Sequence, residues 1–151
     1  MDDKYANGFV SGLIGGLAGA AVNLLMIFLF KFGSIKFVDF AGELIFGHFP
    51  ENFGEDVIAF LAYFGFAGTL GVIFAYLIPI FSFKYFLLKG IHFGIGVWFA
   101  SYAITFLFKA PNLQDISLES AITNYLASFV YGLVMAVALR RWIKKEEKPG
   151  A

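Results

Sequence analysis

Two asparagines stand inside otherwise apolar stretches of this chain: Asn23 in SGLIGGLAGAAVNLLM and Asn124 in AITNYLASFVYGLVMAV. With Tyr63, Ser101 and Tyr102 they supply carboxamide and hydroxyl oxygens that accept, and N–H and O–H groups that donate. Asn23 and Asn124 lie at similar depths from the outer ends of their runs and are expected within hydrogen-bonding distance, directly or through water. Such a set could also line a polar vestibule and hold a cation or a small polar solute. His92 adds a group that changes charge near neutral pH, so the chemistry to weigh there is pH sensing or proton relay. The same residues have a use that needs no ligand. Amides and hydroxyls between helices in an apolar medium fix register, at about 0.6 kcal/mol per bond. A histidine near the end of an apolar run reaches headgroups or a backbone carbonyl.

The elements that must position these groups are long apolar runs. Phe9 to Phe30, Val57 to Phe83, Gly90 to Phe108 and Ala121 to Leu139 contain no Asp, Glu, Lys or Arg. A bilayer core takes about 20 apolar residues in helical form, and backbone groups in lipid must be satisfied within the segment. The expectation is an all-α polytopic membrane protein: a single domain over 1–151, with membrane helices at about 9–30, 57–81, 88–108 and 118–141 forming an antiparallel four-helix bundle, the short second and third loops making the helices they join neighbours. Composition agrees. Only 15% of residues are charged against about a quarter in soluble domains, and mean hydropathy is +0.79. Ala18-Gly19-Ala20 has the look of a signal-peptide cleavage site, but the apolar run continues past it, so the segment is expected to be retained.

Lysine and arginine counts set the orientation. Lys4, Lys84, Lys89, Arg140, Arg141, Lys144, Lys145 and Lys148 lie on one side, and Lys31, Lys36 and Lys109 on the other. Both termini are therefore expected in the cytoplasm, with the chain in a bacterial inner membrane. The first loop holds FVDFAGELIFG, which places Phe37, Phe40, Ala41, Leu44 and Ile45 on one helical face and Asp39 and Glu43 on the other. That predicts a short helix over about 37–47, either lying in the interface or capping the bundle. Asp115 or Ser117 is the expected N-cap of the last helix.

Small residues recur every fourth position along each run. In lipid, helices are drawn together by close backbone approach and interhelical hydrogen bonds, so such ladders mark packing faces. The packing residues expected from this are Gly12, Gly15, Gly16, Gly19, Gly71, Gly94, Ser128 and Gly132, with Phe and Leu turned outward. The two ladders on the first helix leave one face in surplus, which points to a homo-oligomer or to a kinked neighbour that fills both.

Much chemistry is excluded. The chain has no cysteine and two distant histidines, so no disulfide, thiolate or cysteine-ligated metal site can form, and no metal or other cofactor is expected. Zero formal net charge gives no field for nucleic acid. Hydrolase, P-loop and dinucleotide motifs are missing, and no carboxylate pair lies within an apolar run. The reading is of a non-enzymatic membrane protein, an accessory, scaffold or interaction subunit whose one sure partner is the bilayer. The alternative is a small channel or transporter using the polar layer.

Two resemblances bear on this. GGLAGAAVNLL resembles the glycine-rich start of the small dimeric fluoride-channel family, but Asn23 stands where that family has arginine, and its later signatures are missing from Gly90 to Phe108. FVDFAGELIFG, LGVIFAYLIP, LLKGIHFGIGVWF and YGLVMAVALRRW together resemble small four-helix membrane proteins of Gram-positive, often clostridial, bacteria with the YqhR type of layout. That likeness implies a four-helix inner-membrane protein and carries over no activity or functional residue.

Overall fold

The computed structural model describes residues 3–81 and 84–146. The regular elements among these residues are all helical: α1 (Lys4–Phe28), α2 (Phe37–Phe46), α3 (Phe53–Phe81), α4 (Phe86–Leu107), a 3-10 turn (Pro111–Leu113) and α5 (Leu118–Glu146). Four of the helices, all but α2, are long and apolar enough to cross a membrane. The side chains of Lys144 and Lys145, and Lys148 altogether, counted above for orientation, lie outside the described residues.

Local chemistry sets the ends. Asp3 Oδ1 accepts from the backbone N–H groups of Tyr5 and Ala6 and starts α1 several residues before its apolar run. Ser117 Oγ, one of the two expected caps, accepts from Ser120 N at 3.2 Å and starts α5. Gly47, with φ +77°, closes α2 in the left-handed region that glycine enters freely. Lys109 takes the equivalent position after α4 without being glycine, at φ +53°; Lys109 N bonds Phe106 O and Ala110 N bonds Thr105 O, as in a Schellman cap.

The long helices pack in the order α3, α1, α5, α4, and α3 barely meets α4. Glycine decides this order. The two ladders on α1 face different partners: a Cβ on Gly12 would collide with Ala67 O and one on Gly16 would lie 2.9 Å from Ala67 Cβ, both on α3, whereas one on Gly15 would lie 2.8 Å from Tyr131 O on α5. Gly71 meets the Gly8 backbone, and Gly94 and Gly132 meet α5 and α4 backbone atoms, including Ser128 O. The second α1 ladder is thus filled from within the chain, and the surplus face that pointed to a homo-oligomer does not exist.

The expectation that consecutive long helices are neighbours holds for α4 and α5 and fails for most of α3 and α4. These two converge only near the connecting segment, where Phe74 meets Phe86 and Phe93 with ring centroids 5.8 and 5.3 Å apart. Toward their other ends they splay, and α2 lies across the opening. The helix in the first loop therefore sits on protein along one side, while Leu44 and Ile45 stay exposed.

Candidate functional site

The polar residues gather at the α2 end of the molecule. Gly19 lets α1 and α5 close there, since a Cβ on it would lie 2.9 Å from Ala127 O. Across this seam Asn23 Nδ2 donates to Asn124 Oδ1 at 2.7 Å, the hydrogen bond anticipated from their depths in the two helices. Asn23 Oδ1 accepts from Phe37 N, at the start of α2, at 3.1 Å. Asn124 Nδ2 donates to Tyr102 OH on α4 at 3.1 Å. A single run of bonds thus ties α2, α1, α5 and α4 together. Asn23 is 2% exposed and Asn124 0%. The oxygen and nitrogen of both carboxamides are engaged by protein, so the dyad offers a solute no open face.

The remaining expected members stand apart. Tyr63 donates to Gly16 O at 3.0 Å, and Ser101 donates to Val97 O at 2.8 Å within its own helix. His92 is exposed in the second turn of α4, away from the dyad. Sequence reasoning passed over Tyr131, which donates to Ala67 O at 2.9 Å and pins α5 to α3 as Tyr63 pins α3 to α1.

It also passed over the hydrogen bonds that α5 makes to the segment after α1. Ser120 Oγ accepts from Ser34 N at 3.0 Å and Ile35 N at 3.3 Å, and Thr123 Oγ1 donates to Phe32 O at 3.0 Å. These bonds satisfy the irregular backbone between α1 and α2, which otherwise would bury unpaired groups. The signal was present: Ser117, Ser120, Thr123 and Asn124 form a polar stripe at helical spacing in an otherwise apolar helix.

No protein-family model matches the chain, nor does any curated protein or any solved structure. The site is therefore read from its own geometry.

Asp39 and Glu43 do not lie on a wet face of α2. They are 5% and 3% exposed. Glu43 grips the 3-10 turn, accepting from Asn112 N at 3.1 Å and Asn112 Nδ2 at 2.9 Å. Asp39 turns back on its own helix, accepting from Lys36 N at 2.7 Å with Lys36 Nζ at 3.2 Å. Burial pushes the Asp39 carboxyl above its ordinary range, with the Lys36 bonds and charge pulling the other way. His48 hydrogen-bonds Phe49 O at 2.8 Å, and that bond raises its pKa. Both acids bury because α2 is drawn inward: Gly42 seats against the Pro50 ring, where a Cβ would lie 2.5 Å from Cδ. Among the described residues no group of three or more His, Asp or Glu is placed to hold a metal ion.

Proposed function

We propose that this chain is a non-enzymatic multi-pass protein of the bacterial cytoplasmic membrane, with both termini inside, acting as an accessory, scaffold or interaction subunit. Its four long helices would cross as an antiparallel bundle with α2 on the outer side, in the layout of the YqhR-like group. One observation carries the choice over a channel or transporter. The two intramembrane carboxamides that could have lined a vestibule are bonded to each other, to Tyr102 and to the α2 backbone, and both are buried. A conduit needs polar groups turned to water; here they are spent as a latch between helices.

The test is flux. Purified protein in liposomes should pass potassium, sodium and glycerol no faster than empty vesicles do. Flux above that background, abolished by Asn23→Leu, would establish the channel or transporter reading in its place.

A further inference from the structure

We propose that the gap between α3 and α4 is a binding site for a neutral lipophile, a mostly hydrocarbon molecule carrying one carbonyl or hydroxyl group. The proposal deepens the reading above and rests on its membrane placement for the ligand's route of entry.

The gap is a cavity of about 330 Å³. Phe37, Phe40 and Leu44 of α2 form its roof. Tyr63, Phe66 and Leu70 of α3 face Val97, Ser101 and Ile104 of α4 across it, and Ala127, Ser128 and Tyr131 of α5 make the floor. Its open side lies between the two least buried spans, continuous with the exposed apolar surface of Leu61, Phe66 and Ile104. In a bilayer, only a molecule dissolved in the hydrocarbon can reach it.

Size and chemistry narrow the occupant. Ligand pockets run from about 300 to 1,000 Å³, so this one suits a small molecule. No side chain of the lining carries a charge at neutral pH, so the ligand is neutral. The walls hold five hydroxyls, and four have their hydrogens committed to backbone carbonyls: Tyr63 to Gly16, Ser101 to Val97, Thr105 to Tyr102 and Tyr131 to Ala67. Ser128 differs. It is 4% exposed and lines the cavity, and unlike the other four its hydroxyl has no hydrogen bond to a backbone carbonyl among the described residues. Its free hydrogen calls for an acceptor oxygen on the ligand. Ser128 lies ten residues into α5, roughly 15 Å along the helix at 1.5 Å per residue, below the reach of a phospholipid's ester carbonyls.

The probe is a long-chain methyl ketone with a photoreactive diazirine at its far end, used on the full chain in detergent. Labelling should fall on residues 62–70 and 97–105. Unlabelled ketone should compete about two- to tenfold better than the alkane of equal length, the worth of one neutral hydrogen bond. Ser128→Ala should erase that preference and Ser128→Thr keep it. Ala62→Phe, which fills the cavity, should abolish labelling; if its thermal unfolding shows loss of fold, Ser101→Phe from the opposite wall takes its place. Labelling spread evenly over all four spans, equal competition by ketone and alkane, or indifference to the filling variant would overturn the proposal. So would a second polypeptide found cross-linked in the gap. Alkaline extraction of cell membranes judges the membrane reading separately: a chain released by it sinks that reading, while labelling in detergent still decides the cavity.

Discussion

The α4–α5 seam and the α3–α4 gap both join helices that follow one another in the chain, yet they are built oppositely. Along the seam, Gly90 and Gly94 face Gly132 and Ser128, and a Cβ on Gly94 or Gly132 would strike backbone of the other helix. Across the gap, Phe66 and Leu70 face Val97 and Ile104, and no glycine is among the residues that line it. A short connection brings two helices together at one end only. Whether they stay together depends on small residues in register on both, because in the membrane setting proposed above lipid would provide no hydrophobic push to close a bulky interface.

The largest effect should come from the seam itself. Gly132→Val should cost about 3 kcal/mol or more, the upper range for overpacking, because the obstacle is the Gly90 carbonyl and not a side chain that can swing away. Gly96→Ala, at an exposed position of α4 where a Cβ meets nothing within 4 Å, should be neutral or gain about 0.5–1 kcal/mol through helix propensity. Unfolding in a denaturing-detergent titration measures both, and equal costs would show that the seam glycines are not the closely packed positions they are taken to be.

Next comes the latch at the α2 end of the seam. Asn124→Leu strands Asn23 Nδ2 and should cost about 1–3 kcal/mol, the penalty of an unpaired buried group. In a double-mutant cycle with Asn23→Leu, the coupling should be smaller, about 0.6–1.7 kcal/mol, as found for hydrogen bonds between membrane helices. Lys109→Gly should stabilise by about 1 kcal/mol, since a left-handed conformation is strained for lysine and free for glycine; a melting point that falls would show the Lys109 side chain to be needed.

The smallest effect is a pH dependence on the roof of the gap. The Asp39 pKa is raised in the fold, so the folded state holds its proton to higher pH than the unfolded state does. Stability of α2 should therefore increase as pH falls through the raised value toward the ordinary one, and level off below it. Lys36, which holds the charged form, and Asp56, which opposes it, set the size of the window. Amide hydrogen exchange over 37–46 reads this, and Asp39→Asn should flatten the slope.

The apolar runs made four long helices legible, and the glycine ladders made most contact faces legible, because both are local periodicities. The Asn23–Asn124 bond was legible too, from two amides at matching depth. The parting of α3 and α4 was not. It depends on what each helix shows the other, and a ladder such as Gly96 and Ala100 looks the same whether or not a partner face exists. The burial of Glu43 was hidden for a related reason: its partner Asn112 lies 69 residues away in a turn that reads as an ordinary loop. Amphipathic spacing put Asp39 and Glu43 on a common face correctly, but could not say that protein would cover it.

The helix order can be tested most directly by disulfide cross-linking, which the absence of native cysteine makes clean. Cysteines replacing Gly16 and Ala67, whose Cβ atoms would nearly touch, should join readily in native membranes, while cysteines replacing Ala62 and Ser101 on opposite walls of the gap should stay reduced. Rapid bridging of the second pair with failure of the first would contradict the arrangement from which the rest is built.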